Sequence, residues 1–131
     1  MSTVQQRLLS PDSLMPHEEI VPKRVLEVME LIISEQNWTQ PICIERNTHC
    51  IMDGHHRYAA ALRFGLLCVP VVEFGYDEVL LGSWRTGVSF DPVRVIERAL
   101  NRRLLPHKST RHVFPPVHCF SVPLPRLLIP A

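Results

Sequence analysis

The sequence predicts an α+β protein: a small mixed β-sheet packed with two or three helices. Three observations carry this. Apolar residues recur at helical spacing in two stretches, from Pro22 to about Ser34 and from Asp91 to Arg103. Short alternating or valine-rich runs, Pro41–Glu45, His49–Met52 and Cys68–Phe74, read as strands. An alanine-rich segment ending at Phe64 and Gly65 follows directly on the polar run Asp53-Gly54-His55-His56-Arg57. The chain of 131 residues is read as a single domain, residues 1–131, long enough to bury its own core.

Val4–Leu9 is the first expected strand, closed by Ser10, Pro11 and Asp12. Pro16 makes Met15 extended and interrupts regular structure. Pro22 opens a helix, with Val25, Val28, Met29, Ile32 and Ile33 on one face and Lys23, Arg24, Glu27 and Glu30 on the other. Asn37–Gln40 is read as a connector. Pro41–Glu45 and His49–Met52 form a hairpin around Arg46-Asn47-Thr48, and Cys68–Phe74 is a buried strand. Gly75–Gly82 is expected to turn the chain. Asp91 and Pro92 suit the N-cap and first position of another helix, whose stripe is Val93, Ile96, Ala99 and Leu100. Arg94, Arg98, Arg102 and Arg103 make its open side basic, read as a solvated face. Pro106 ends it. His107–Pro116 is expected to be a polar loop and Val117–Val122 a final strand. Six of the twelve prolines lie from Pro106 onward, so this quarter is extended or irregular rather than helical.

The corner at Ile51–Ala61 is the candidate ligand site. Ile51 and Met52 end a strand, Gly54 turns the chain, and Ala59, Ala60, Ala61 and Leu62 continue as helix up to Gly65. The first turn of that helix leaves backbone N–H groups without internal partners. Gly54 allows close approach to the backbone, and His55, His56 and Arg57 add donor or cationic side chains there. Phosphate is the anion such a corner suits best.

Composition narrows the rest. Lys and Arg number 14 against 13 Asp and Glu, so duplex DNA binding has no electrostatic head start. No segment approaches a membrane span and the N-terminus has no signal-peptide pattern, so a cytoplasmic protein with no membrane partner is expected. The four cysteines, Cys43, Cys50, Cys68 and Cys119, form no C-x-x-C pair and are expected as free thiols. The histidines match no finger spacing, and no metal held by the protein alone is expected.

Three polar clusters fall in breaks between regular elements: His17-Glu18-Glu19, Asp53 to Arg57, and Lys108 to His112. If they converge, they offer a general base, a phosphate holder and a clamp for an acidic group. That set suits phosphoryl transfer to a small hydroxyl substrate. None of the spacings is a Walker motif or a kinase glycine loop.

The run Ile51-Met52-Asp53-Gly54-His55-His56-Arg57 resembles the signature of the ParB/sulfiredoxin-like superfamily. Met15-Pro16-His17-Glu18 resembles the K-P-H-E segment of its free L-serine kinases. Ser109-Thr110-Arg111-His112-Val113-Phe114-Pro115 resembles their S/T-x-T-R-H-V-x-P segment, and the three motifs stand in the same order. The resemblance spans roughly Leu9 to Pro116. It departs from the archaeal kinases in one respect: only residues 85–108 lie where they carry a long insertion.

The resemblance implies a ParB/sulfiredoxin-like fold and a kinase that phosphorylates free L-serine with ATP or ADP and Mg2+. It implies that Glu18 is the catalytic base and that Asp53 assists beside the phosphates. Gly54, His55, His56 and Arg57 correspond to the nucleotide phosphate site. His17, Trp84, Thr110, Arg111 and His112 correspond to the substrate side. A ParB-like nucleotide switch is the alternative, disfavoured by the balanced charge and the lack of a helix-turn-helix pattern. A sulfiredoxin-like reductase ranks last, because histidine stands where that family has its cysteine.

Overall fold

The computed structural model describes residues 5–131. In chain order the elements are β1 (Gln6–Leu9), α1 (Pro22–Glu35), β2 (Asn37–Trp38), β3 (Ile42–Glu45), β4 (Ile51–Asp53), α2 (His55–Phe64), β5 (Val69–Phe74), β6 (Leu80–Ser83), α3 (Pro92–Leu100), β7 (Thr110–Val113) and β8 (Val122–Pro123). Short 3-10 turns occupy Pro11–Ser13 and Leu124–Leu128. The main sheet has the order β1-β5-β3-β4 and is mixed: β3 runs parallel to β5, the other pairs antiparallel. This is the expected α+β architecture, with three helices.

The sheet patterns fold as their periods require, but two helical stripes differ from the expected ones: Ile33 of α1 is exposed, and α3 buries Val95 and Ala99 while Val93 and Leu100 face out. Ile42, Ile44, Ile51, Val69 and Val71 are fully buried in the sheet, and Val25 and Ile32 carry α1 onto it. Ala59, Ala60 and Ala61 are buried together in α2, whose small side chains let the helix backbone pack closely against α1 and the core. Gly65 ends α2 in the left-handed region at φ 69°, its N–H turned back to Ala61 O and Leu62 O, as expected of a helix-stopping glycine.

Four further expectations need correction, and one reading, Val4 in the first strand, lies outside the described residues. Asn37–Gln40 is not a plain connector, because Asn37 and Trp38 pair with Pro123 and Val122. Fully buried Trp38 fixes this pairing by filling the core. The Gly75–Gly82 stretch contains the start of β6. The polar loop expected at His107–Pro116 contains β7, paired antiparallel to β6 with Gly82 opposite Arg111 and Ser83 opposite Thr110. Neither strand alternates apolar and polar residues, so neither shows a strand period in the sequence. Conversely, Val117–Val122 is strand only at its end. The Gln6 side chain satisfies the Phe120 backbone instead, donating to its O at 2.7 Å and accepting from its N–H at 3.0 Å.

Candidate active site

The segment carrying Glu18 has little regular structure of its own and is held from both sides. Leu105 stitches it to the chain after α3: Leu105 N–H donates to His17 O and Glu19 N–H to Leu105 O, each at 2.7 Å. From the other side come the histidines of α2. His55 Nε2 accepts from the N–H groups of His17 and Glu18 at 3.1 and 3.3 Å, and His56 Nε2 accepts from Val21 N–H at 3.0 Å. An acceptor nitrogen carries no proton, so each ring in its neutral form keeps its proton on Nδ1. Burial drives the His55 ring down to about 3 and lowers His56 as well. At neutral pH both rings therefore offer a neutral donor rather than a charge.

Glu18 itself is 9% exposed. Its Oε2 accepts from Thr110 N–H at 3.1 Å and from the Thr110 hydroxyl in a short bond, and Oε1 accepts from Ser109 N–H at 3.4 Å. Behind it His17 has no exposed surface. His17 Nε2 lies 2.8 Å from Thr110 Oγ1 and 3.3 Å from Glu18 Oε2, and its Nδ1 faces Cys50 Sγ at 3.8 Å. Since the Thr110 hydroxyl spends its proton on Glu18, it accepts from His17 Nε2–H, and the whole chain of donors points at the carboxylate. Burial pushes the Glu18 acid up, but the bonds from His17 and Thr110 outweigh it and hold the group down at about 2.

Opposite Glu18 stands the β4–α2 corner. Gly54 takes φ 107°, and no side chain caps the first turn of α2. A Cβ at Gly54 would sit 3.3 Å from both Arg57 Nη2 and Ile42 Cγ1. Asp53 ends β4 with its side chain 61% exposed and 3.2 Å from Arg57 Nη2. Arg57 Nη1 donates to Gln40 O at 2.9 Å and Pro41 O at 2.7 Å.

Both corners open into one cavity of about 360 Å³. Its walls include Glu18, Glu19, Asp53, Gly54, His55, His56, Arg57, Trp84 and Thr110, with Arg24, Gln40 and Lys108 at the same opening. This size suits a small polar ligand or part of a nucleotide. The cavity brings together a buried ionised carboxylate, an exposed carboxylate and an uncapped helix N-terminus.

No family model matches the chain. A ParB-like protein of Sulfolobus acidocaldarius is 36% identical over 93 residues, which cover 70% of this chain and 46% of that protein. An ATP-dependent L-serine kinase of Desulfurococcus mucosus is 34% identical over 107 residues, which cover 77% of this chain and 42% of that protein. The solved structure of a free serine kinase in complex with AMP superposes with a TM-score of 0.86, over 96% of this chain and 95% of that one, at 15% identity. In sequence the chain is similar to this ParB-like protein and to this L-serine kinase, and in fold to the solved free serine kinase. It spans less than half the length of the two curated relatives. The likeness to the solved kinase is one of fold.

Within the chain the residues expected from sequence take three kinds of place. Glu18, Asp53, Gly54, His55, His56, Arg57, Trp84 and Thr110 line the cavity. His17 does not, because it is buried behind Glu18 and reaches the cavity only through Thr110. Arg111 and His112 also stand outside that wall. Arg111 is exposed and lies over the Trp84 ring at 4.9 Å, while His112 Nε2 meets Tyr76 Oη at 2.8 Å. Burial lowers His112 to about 3, and its Nδ1 is buried without a partner among the described residues. Sequence reasoning gave no site role to Arg24, Gln40 or Lys108. Arg24 carries no signal beyond its place in the first turn of α1, and Lys108 stood only as the edge of a polar cluster.

Proposed function

We propose that this chain is a kinase that transfers a phosphoryl group from a nucleotide to the hydroxyl of free L-serine, giving O-phospho-L-serine. The observation that carries the reading is the Glu18 carboxylate, ionised and fixed by donors from His17, Ser109 and Thr110, in one cavity with the uncapped N-terminus of α2. ATP is the proposed donor, as in the name of the Desulfurococcus mucosus relative. The proposed setting is the cytoplasm, and residues 1–131 are proposed to act as one catalytic domain.

In this reading the phosphates lie against the N–H groups at the start of α2, where Gly54 leaves room for them. The serine hydroxyl sits against Glu18. As its Oγ–P bond forms, the bond from phosphorus to the bridging oxygen breaks, and the leaving nucleotide takes that electron pair. The hydroxyl proton passes to Glu18. A carboxylate held at about 2 is a weak base, but in a loose transition state the hydroxyl gives up its proton late. Positioning and charge then do most of the work. Trp84 forms the side wall, and Thr110 fixes both the base and the edge of the serine site.

Mg2+ fits the residues present. Asp53 offers an exposed carboxylate at the cavity, and Mg2+ bound with a nucleotide needs only one or two protein carboxylates beside the phosphates. There it would neutralise phosphate charge.

The test is incubation with serine, Mg2+ and either ATP or ADP, followed by phosphoserine detection. Product is expected, and Glu18→Ala should lower the rate by about 10²–10⁴. No product with either nucleotide, or full activity in Glu18→Ala, would overturn the reading.

A further inference from the structure

The groups that invite a phosphate by sequence supply little free positive charge in the folded chain. Arg57 has its guanidinium engaged by Gln40 O, Pro41 O and Asp53. His55 and His56 accept backbone N–H groups and resist protonation. Yet a nucleotide brings several negative charges into this cavity. Two other cations line it, Arg24 from the first turn of α1 and Lys108 from the turn before β7. Neither forms an ion pair among the described residues. Both line the cavity together with His56, and both oppose the protonation of its ring.

Lys108 carries a second mark. Its backbone sits at φ 53°, in the left-handed region that Asn or Gly enters more cheaply than Lys. It is not at a helix end, where such a conformation is routine. The chain holds a lysine in a costly conformation two residues before Thr110, the residue that bonds the Glu18 carboxylate. Such outliers gather at functional sites.

We propose that Arg24 and Lys108 are the cation pair that holds the nucleotide's phosphates: Lys108 at the transferring phosphoryl group, Arg24 at the phosphates that stay with the leaving nucleotide. The division follows from position. Lys108 directly precedes Ser109 and Thr110, whose N–H groups bond the Glu18 carboxylate where the hydroxyl attacks. Arg24 stands in the first turn of α1, which directly follows Val21, whose N–H the His56 ring accepts. As the bond between phosphorus and bridging oxygen breaks, the charge that appears on the nucleotide faces Arg24. This rests on the serine-kinase reading.

The test compares Lys108→Asn, Lys108→Arg and Arg24→Gln with the wild type by thermal midpoint, calorimetric affinity for Mg-ATP, and phosphoserine formation. Asn keeps the left-handed backbone, so the midpoint of Lys108→Asn should not fall. Its kcat should fall about 10²-fold with nucleotide affinity within about 3-fold, and Lys108→Arg should recover at least about 10-fold of the loss. Arg24→Gln should weaken Mg-ATP binding by about 10-fold. Turnover of Lys108→Asn within about 3-fold of wild type, or unweakened binding by Arg24→Gln, would overturn the pair. A wild type that binds Mg-ATP but makes no phosphoserine would instead sink the serine reading. The binding comparison for Arg24→Gln would then still decide whether the grip is real.

Discussion

At the scale of single residues, everything turns on how Glu18 is kept charged. A buried carboxylate is ordinarily pushed toward its neutral form. Here each nearby proton is aimed at it, two from Thr110, one from Ser109 N–H, and one from His17 relayed through the Thr110 hydroxyl. Thr110→Val removes the hydroxyl and breaks the relay while keeping the shape. With burial less opposed, the Glu18 acid should rise. The pH–rate profile checks this. Wild type should show no acidic limb from Glu18 above the pH at which the fold gives way, whereas Thr110→Val should show one and lose about 10-fold in kcat. A variant profile that overlays the wild type would mean that Thr110 does not tune the base. Cys50 completes the relay but does no thiol chemistry, since burial raises it to about 12.

At the scale of elements, the decisive unit is the β4–α2 corner. Gly54 is required twice over, for φ 107° and for space beside Ile42 and Arg57. Gly54→Ala should cost about 1–2 kcal/mol of stability and weaken nucleotide binding, read by denaturation and calorimetry. An alanine variant as stable and as tight-binding as wild type would refute the requirement. This corner was legible in the sequence, because strand, glycine, polar run and alanine helix each leave a local signal. The β6–β7 ribbon was not. Leu80–Ser83 and Thr110–Val113 have no period, and they pair across the whole of α3. The roles of His55 and His56 were half legible. Their place at the start of α2 could be read, but their use as acceptors for the Val21, Glu18 and His17 amides depends on a long-range contact that no spacing encodes.

At the scale of the molecule, the site is also a cost to the fold in acid. His55 and His112 are each held down from 6.5 to about 3, and Glu18 from 4.5 to about 2. All three shifts have one sign: the unfolded chain takes up protons that the native state refuses. Stability is therefore fully present above about pH 6.5 and falls as pH drops, first through the histidine window and then, below about pH 4.5, through that of Glu18. The slope should be on the order of 2 kcal/mol per pH unit. Urea midpoints should stay level from pH 7.5 to about 6.5 and fall from there to pH 4, and a flat series down to pH 4 would contradict the buried, neutral histidines. The three polar clusters were visible in the sequence as breaks between elements, and the fold brings part of each to one cavity. What the sequence could not give is which members face inward. His17 and Arg111 sit in their motifs beside Glu18 and Thr110, yet one is buried behind the wall and the other lies out over Trp84.

In the proposed reaction the Glu18 carboxylate acts on a serine hydroxyl beside bound nucleotide. Phosphorus NMR of wild type and Glu18→Gln, each with Mg-ATP and L-serine, tests it most directly. Wild type should show a growing phosphoserine resonance. For Glu18→Gln the rate should be at least about 10²-fold lower with Mg-ATP still bound. Equal rates for the two proteins, or no phosphoserine from a wild type that binds the nucleotide, would contradict it.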